Sequence, residues 1–578
     1  METREAPFSS KFATNYTPTD EEVGQIKDIL SVPLATVQQL DEEKASIRLQ
    51  IERLQKDYEA LGEESSTILS KSHVVAYQAL LAPMRRLPPE VLQEIFIFSI
   101  PTTSYALMTR HDAPVSLTQV CQLWRRVAIA TPAIWSSIHI PVPCPSVRSS
   151  LNAAKEALEL RRHVVQEWLR RSRTHTLRIS IFDPYPRYNE LEEARGKLLD
   201  ALFEVSKRWG EIKVETTPQI LQRFAQELSS EHVPILESFE VKTCLTSRTV
   251  DDPLIIWGES ELLAAPKLRK FTTNTISESV RDFKLPFKQL TRLELGHGLH
   301  PDKIPFISLS RLAWMLMPME SLVHGAFVVS KAAFEFPKES IHLPALENLE
   351  IVEHGMDVNM SELFQRLLLR RLKHLKYCAC QLNRRHSLRP PRPLPLLLNV
   401  AGAGVTLQIL EVNAKMFSSR DSILECLRCA PNLHSLSFVN SIKGKFMLVD
   451  CYLIAYFDDT LLDALISSET TETDSQFLLP KLKNLFIEIP TNFTQNAIRE
   501  FLGFRSGKID GVPVAKLERF SVVLDSKPPQ DGGIGKTRAY PIDEGLELEI
   551  EYRRVNDEPS TIEAVVFRAD EGLGNETA

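Results

Sequence analysis

The sequence predicts an α/β protein in which an N-terminal helix and three short helices precede an irregular solenoid of strand–helix units. Three observations support this fold class: a heptad pattern over residues 37–61, a compact apolar segment over residues 83–140, and a Leu-x-x-Leu-x-apolar motif that recurs between residues 141 and 525. The chain accordingly divides into five predicted parts: a flexible N-terminal arm (1–35), a heptad helix (36–82), the apolar segment (83–140), the repeats (141–525), and a terminal strand with an acidic tail (526–578).

Composition limits the function classes. Apolar residues make up 43% of the 578 residues, which is enough for a large core and too many for a disordered chain. The net charge of −7 disfavours a protein that coats nucleic acid, and eight cysteines are too few for a disulfide framework. The N-terminus is polar, and the apolar stretch at residues 394–405 is interrupted by Gly402 and Gly404 and too short to span a membrane. We therefore expect a soluble protein of the cytoplasm, the nucleus or both.

The first element is an amphipathic helix. Residues 1–35 are polar and contain three prolines, which predicts a mobile arm. Apolar positions then recur in alternating steps of three and four, at Val37, Leu40, Lys44, Ile47, Ile51, Leu54, Tyr58 and Leu61. A lysine and a tyrosine weaken this seam. Two interpretations stay open: a short parallel coiled coil that forms a homodimer, or a single helix that packs against the chain's own body.

Residues 83–140 predict three short helices. Pro88, Pro89 and Glu90 suit a first helical turn, where the missing proline N–H groups would be unpaired anyway and a carboxylate complements the helix dipole. Apolar residues follow at helical spacing as far as Pro101, and a second apolar stripe covers residues 117–127. Pro132 begins the third helix. A bundle of this size cannot cover its own apolar surface, so it needs a partner or a neighbouring domain.

The order of these blocks resembles the F-box. Residues 87–96 (LPPEVLQEIF), 120–128 (VCQLWRRVA) and 132–135 (PAIW) carry the resemblance, and the flanking residues look like the large F-box families of mushroom-forming fungi. The loop at residues 102–113 is longer and more polar than in the general F-box. The resemblance implies docking to a Skp-family adaptor, and through it to a cullin, by Leu87, Pro88, Pro89, Val91, Leu92, Ile95, Phe96, Leu117, Val120, Cys121, Trp124 and Trp135.

The repeats follow the F-box-like segment. Copies of the motif begin at leucines 236, 268, 290, 346, 372, 407, 433, 482 and 517, usually two to three residues after a proline. Each copy predicts a short strand, and helical periodicity lies between copies, as at residues 360–375 and 421–430. One strand–helix unit cannot bury its apolar face, but a stack can. The result would be an irregular solenoid resembling leucine-rich repeats; the alternative is an α/β domain whose strands share the pattern by chance.

The C-terminal residues contain one further predicted strand. Residues 546–552 alternate strictly between apolar and acidic side chains, and the rest reads as an acidic tail. Residues 532–537 (GGIGKT) look like a phosphate-binding loop. Gln530 occupies the position where that loop needs glycine, and no helix follows, so we predict no nucleotide site.

No motif predicts a metal site or catalysis. The pairs Cys378/Cys380 and Cys426/Cys429 lack the spacing and turn of a zinc knuckle, and buried, reduced cysteines are the better interpretation. The 14 histidines are scattered, and neither a His-Glu-x-x-His motif nor a Gly-x-Ser-x-Gly elbow is present. We therefore predict no catalytic residue, no metal and no cofactor.

One stretch of the repeats is strongly basic. Residues 366–410 contain no acid, and Arg370, Arg371, Lys373, Arg384 and Arg385 are candidates for holding an acidic or phosphorylated ligand. The alternative is a proline-rich loop over residues 384–395 whose charges only keep it solvated.

These observations predict the substrate-recognition subunit of an SCF-type ubiquitin ligase. The F-box would dock the adaptor, and the repeats would bind a target protein whose identity the sequence does not give; nucleic acid and membrane are not expected as partners. One alternative is a scaffold or ligand-binding repeat protein that uses the adaptor only for stability. Another is an enzyme with an unrecognised pocket in the repeats, which no group of residues supports.

Overall fold

A computed structural model describes the chain in two compact units, Met1–Leu92 and Gln93–Ala578. The residues described are 8, 16–71, 77, 80–81, 83–143, 150–183, 189–243, 257–274, 283–296, 306–355, 358–380, 394–417, 419–439, 456–471, 474–506, 514–524, 546–553 and 562–567.

The first unit is dominated by helix α1 (Asp20–Lys71). This helix begins well before Val37, so the prediction of a flexible arm over residues 20–35 was wrong. The reason is a helix start built from Thr19 and Glu22: the backbone N–H of Thr19 donates to Glu22 Oε2 at 2.9 Å, and three acids occupy the first turn. Pro33 lies inside the helix. The apolar side chains of the predicted heptad seam are exposed.

The boundary between the units falls within helix α2 (Pro89–Ser99). The α-helices that follow are α3 (Gln122–Ala130), α4 (Leu151–Arg171), α5 (Glu192–Phe203), α6 (Pro218–Glu227), α7 (Leu309–Leu316), α8 (Ser361–Phe364), α9 (Leu394–Val400), α10 (Arg420–Arg428), α11 (Asp459–Ile466) and α12 (Gln495–Phe504). Within the described residues no helix is both long enough and apolar enough to cross a bilayer.

The strands of the second unit are separated in many places by these helices or by 3₁₀ turns. They are β1 (Ser137–Pro141), β2 (Leu177–Phe182), β3 (Trp209–Thr216), β4 (Ser238–Thr243), β5 (Lys270–Thr273), β6 (Arg292–Leu295), β7 (Ile307–Ser308), β8 (His324–Ser330), β9 (Ile341–His342), β10 (Asn348–His354), β11 (Leu367–Leu368), β12 (His374–Cys380), β13 (Ile409–Asn413), β14 (Ser435–Val439), β15 (Ser468–Thr471), β16 (Asp474–Phe477), β17 (Asn484–Thr491), β18 (Arg519–Leu524), β19 (Glu547–Arg553) and β20 (Ile562–Phe567).

One sheet of 16 strands organises this unit. Its order is β1-β2-β3-β4-β5-β6-β8-β10-β12-β13-β14-β17-β18-β19-β20, with β7 paired to β8, so the strands follow one another across the sheet in chain order. Neighbours are parallel along this path except for the last pair, β19 and β20. The structure thus confirms an α/β protein with a long N-terminal helix and a large parallel sheet.

Short turns set the register of the strands. In the repeat before β10, the Leu346 N–H donates to the Leu343 carbonyl at 3.3 Å, which closes the turn that Pro344 begins. The next two N–H groups, of Glu347 and Asn348, both donate to the Val323 carbonyl, at 2.9 and 3.0 Å. The same pattern recurs one strand later, where Lys373 and His374 donate to the Glu347 carbonyl. Each strand therefore begins in line with the one before it.

Alternate strand residues form the core on one face of the sheet. Phe239, Phe271 and Leu293 lie side by side in the register of β4, β5 and β6, and all three are buried. The rings of Phe239 and Phe271 stack with centroids 6.0 Å apart. At the end of β5, the Asn274 amide both accepts from the Thr243 N–H at 2.8 Å and donates to the Thr243 carbonyl at 3.1 Å, which satisfies a buried strand end.

The C-terminal strand was predicted at residues 546–552 and is observed as β19 at Glu547–Arg553. Its antiparallel partner β20 was not predicted, because residues 562–567 were assigned to the acidic tail. The GGIGKT segment at residues 532–537 lies outside the described residues.

Candidate functional site

The first candidate surface is the helical segment, which we define as residues 93–135 of the second unit. It contains the end of α2, a 3₁₀ turn at Ser116–Gln119, helix α3, and a second 3₁₀ turn at Pro132–Trp135. Cys121 caps α3, since its Sγ accepts from the Trp124 N–H at 3.5 Å. Phe96 and Trp124 pack with ring centroids 5.0 Å apart. These contacts form a small core inside the segment.

The predicted adaptor-binding residues differ in exposure. In the first unit, Pro88, Pro89 and Val91 are exposed, Leu87 is half-buried and Leu92 is buried. In the second unit, Ile95, Val120 and Cys121 are exposed, Leu117 and Trp124 are half-buried, and Phe96 and Trp135 are buried. The buried side chains stabilise the chain itself, so a partner can contact only the others.

Trp135 illustrates the buried group. Its indole N–H donates to the Ala128 carbonyl at 2.8 Å, and its ring meets that of Trp168 edge-on with centroids 4.8 Å apart. The Arg171 guanidinium lies 4.6 Å from the ring centroid. Trp135 therefore joins the helical segment to α4, and it stabilises this junction rather than an outer surface.

Exposed apolar side chains concentrate in the helical segment. Of the thirteen large exposed apolar residues described in the second unit, six lie between residues 95 and 129: Ile95, Ile97, Phe98, Leu107, Val120 and Ile129. Phe98 is 85% exposed and Val120 is 60% exposed. Ile97, Phe98, Leu107 and Ile129 were not among the predicted site residues, although Phe98 lies one helical turn after Ile95. Six exposed apolar side chains in a stretch of 35 residues favour a protein partner for this segment.

The loop after α2 attaches the helical segment to the sheet. The Tyr105 hydroxyl donates to Glu211 Oε1 at 2.7 Å, and Arg178 Nε donates to Glu211 Oε2 at 2.9 Å. Burial and the contact with Glu211 raise the pKa of Tyr105, so its proton stays in place as the donor. The Ala106 carbonyl accepts from the His139 N–H of β1 at 2.8 Å. The long polar loop at residues 102–113 therefore holds the segment in a fixed position against β1.

The second candidate surface is the basic cleft. It is an open cavity of about 480 Å³ lined by Glu347, Arg370, Arg371, Lys373, Val405, Thr406, Gln408, Asn432, His434 and Lys481. These residues lie in the turns just before β10, β12, β13, β14 and β17. Because those strands are parallel and in register, the turns meet along one edge of the sheet and bring five separate sequence segments together.

Three of the five predicted ligand-binding residues line this cleft: Arg370, Arg371 and Lys373. Arg384 and Arg385 lie outside the described residues. His434 and Lys481 were missed, because they belong to later repeats. The available signal was repeat position: Arg371 precedes Leu372 as Lys481 precedes Leu482, so the two cations occupy equivalent places in their turns.

Four permanent cations of the cleft face one carboxylate. Glu347 pairs with Lys373 at 2.9 Å, whereas Arg370, Arg371 and Lys481 have no acidic partner among the residues the structure describes. Neighbouring polar groups are already bonded: Asn432 Nδ2 donates to the Val405 carbonyl at 2.7 Å, and the Thr406 hydroxyl donates to the Leu372 carbonyl at 2.8 Å. The cleft is therefore positive, and hydrogen bonds hold Asn432 and Thr406 in its wall.

Several lysines on the sheet face itself have acidic partners instead. Lys213 and Lys242 both contact Glu240 Oε1, at 3.1 and 2.7 Å. Farther along, Lys376 contacts Glu350 at 2.8 Å. Lys213, Lys242 and Lys376 on this face are thus paired, whereas three cations of the cleft have no acidic partner among the described residues.

The cysteines that the structure describes show no arrangement for metal binding. Cys378 and Cys426 are buried, and burial raises the pKa of the Cys426 thiol well above its ordinary value. Among the described side chains, no three His, Cys, Asp or Glu residues converge as a metal site would require.

Comparison with protein-family models and with curated proteins gives no match. Among solved structures, a yeast complex of Rad7 and Elc1 is similar over 60% of this chain and 91% of that chain, with 14% sequence identity and a TM-score of 0.27. A superposition this loose carries no argument about fold family or function.

Proposed function

We propose that this chain is the substrate-recognition subunit of an SCF-type ubiquitin ligase. In this proposal the helical segment docks a Skp-family adaptor that connects to a cullin, and the repeat sheet holds a target protein. The observation that carries the proposal is the concentration of exposed apolar side chains on the helical segment. Ile95 and Val120 belong to the F-box-like blocks, and Ile97, Phe98 and Ile129 directly follow them. A cluster of exposed Ile, Phe and Val side chains is the chemistry of a protein-docking surface.

The proposed role is positional and not catalytic. No residue of this chain would carry the thioester or transfer ubiquitin, because the conjugating enzyme supplies that chemistry. Tethering a target next to the enzyme converts a bimolecular transfer into an effectively intramolecular one, at an effective concentration on the order of millimolar. The helical segment is attached to the sheet through Tyr105 and to α4 through Trp135, which suits this role because it keeps the two binding surfaces at a constant separation.

Adaptor binding by exposed-residue variants tests the proposal. Phe98→Asp and Val120→Asp each place a charge on the docking surface, and we expect each to abolish the one-to-one complex formed with a co-expressed Skp-family adaptor in pull-down and size exclusion. Leu160→Asp is the matched control, since Leu160 is 65% exposed but lies on α4, outside the helical segment. Phe98→Asp and Val120→Asp replace exposed side chains, so both variants should keep the wild-type circular dichroism spectrum. Leu92 is unsuitable because it is buried and a charge there would unfold its surroundings.

Two outcomes would contradict the proposal. Absence of any complex with wild type would show that the helical segment is only a fold element. An adaptor complex that binds no ubiquitylated partner in cells would favour a repeat scaffold that uses the adaptor only for stability.

A further inference from the structure

The basic cleft lies in a different part of the second unit from the helical segment, and adaptor docking does not explain it. We propose that the cleft binds a phosphorylated segment of another protein, with the phosphate held by Arg370, Arg371 and Lys481. The identification of that protein as a ligase target rests on the proposed function; phosphopeptide binding itself does not.

The charge distribution indicates a compact dianion. Arg370 and Arg371 are adjacent and exposed in one turn, and Lys481 enters from the turn three strands away along the sheet. Guanidinium groups match the geometry of phosphate oxygens, and a phosphorylated side chain carries about two negative charges and three acceptor oxygens at neutral pH. Three cations without acidic partners carry more positive charge than a single carboxylate ligand would neutralise. Leaving them together costs electrostatic repulsion that a bound dianion would remove.

The cavity has room for more than a phosphate ion, which favours a peptide as the ligand. About 480 Å³ lies within the range of roughly 300–1,000 Å³ found for ligand pockets, so neighbouring peptide groups fit beside the phosphate. The wall offers Gln408 and the exposed Val405 for such groups. The Nδ1–H of His434 donates to the Asn432 carbonyl at 2.9 Å, which fixes the orientation of the ring in the wall.

The surroundings of the cleft disfavour nucleic acid. A polyanion needs a continuous positive track along the protein. Here the row of turns contains Glu347 on one side, and on the other Lys483 is already paired with Glu518 at 2.7 Å. Among the described turns the positive patch therefore ends after a few residues in both directions, and the whole chain has a net charge of −7.

Binding of phosphopeptides to the full chain without adaptor tests the proposal. The probes are two fluorescein-labelled degenerate peptide pools, centred on phosphoserine or on serine, measured by fluorescence polarisation. We expect the phosphorylated pool to bind about tenfold more tightly or better, and Arg371→Glu and Lys481→Glu each to weaken it by about tenfold or more, because each removes a charge-assisted contact.

Lys267→Glu is the matched control. Lys267 is exposed and occupies the same place in its turn, before Leu268, but it lies outside the cleft, so affinity should stay within about twofold of wild type. The proposal is overturned if both pools bind equally, or if Lys267→Glu weakens binding as much as Arg371→Glu. It also fails if free phosphoserine or inorganic phosphate competes as well as the peptide, or if a single-stranded oligonucleotide displaces it.

The two proposals fail separately. Arg371→Glu should still bind the Skp-family adaptor, and Phe98→Asp should still bind the phosphorylated pool. Loss of adaptor binding in the first variant, or of peptide binding in the second, would mean that the surfaces are not independent and would overturn the assignment of the cleft.

Discussion

Glu294 shows how a single carboxylate on the sheet face depends on its neighbours. It is nearly buried in β6 and accepts from Arg292 Nε at 2.7 Å, while His324 Nε2 lies 3.0 Å away. Burial alone would raise its pKa, but the hydrogen bonds and charges of His324 and Arg292 outweigh burial and lower the pKa from 4.5 to about 2. The ionised carboxylate is therefore part of the native state.

This lowered pKa predicts an acid-dependent loss of stability. The contribution of Glu294 is fully present above about pH 4.5 and is lost as the pH falls from there through about 2, because the unfolded chain takes up the proton first. We expect Glu294→Gln to be less stable than wild type by about 1–3 kcal/mol near pH 7. The difference in thermal midpoint should shrink steadily between pH 5 and 3 by scanning fluorimetry, in roughly the window where carboxyl groups titrate. If the difference in thermal midpoint stayed constant with pH, Glu294 would not be an ionised carboxylate paired with Arg292 and His324.

Residues whose partners are distant in sequence could not be predicted. Arg505 is fully buried and donates to the carbonyls of Leu465, Leu478 and Leu479 at 2.9–3.2 Å, so it holds together segments up to 40 residues apart. Nothing in its local sequence distinguishes it from a surface arginine. The cation pattern of Arg370, Arg371 and Lys373 was predictable because it is local, whereas the contribution of Lys481 depends on strand register.

At the scale of elements, hydrophobic pattern predicted strands well and helices less well. The motif copies at leucines 346, 372, 407 and 433 each lead directly into a strand, since turn closure and alternation are both local signals. Helical spacing over residues 360–375 predicted one helix, but α8 ends at Phe364. There the Arg366 carbonyl accepts from the Ile341 N–H at 2.7 Å and β11 pairs with β9, so pairing between repeats outweighs local helical periodicity.

Gly404 controls the connection between α9 and β13. A β-carbon at this position would lie 1.9 Å from the Cys429 carbonyl oxygen, in rigid backbone. We expect Gly404→Ala to lower the free energy of unfolding by roughly 1–3 kcal/mol or more, as overpacking does. Gly503 in α12 has open space around it, so Gly503→Ala should raise stability slightly, by about 0.5 kcal/mol. Urea denaturation measures both, and equal effects of the two substitutions would contradict this explanation.

At the scale of the whole molecule, helix α1 raises the question of oligomeric state. Its seam is exposed, which is the condition expected before a second copy covers it. We therefore retain the hypothesis of a parallel homodimer and expect Leu54→Asp, on the seam, to convert dimer to monomer in analytical ultracentrifugation. Leu49→Asp is the control, because Leu49 is equally exposed but lies off the seam. A wild-type monomer at micromolar concentration would contradict the hypothesis.

The order of the sheet has a consequence for how such a chain is made and how it changes. Along the main path of the sheet, every strand after β1 pairs with the path strand that precedes it in the chain, so the chain can add structure progressively as it leaves the ribosome, without waiting for distant segments. Because each strand–helix unit contacts mainly the units next to it, one unit can be lost or added without disrupting distant contacts. Duplication or loss of one unit between β13 and β18 leaves the other registers intact, so the array can lengthen or shorten in evolution while its core persists.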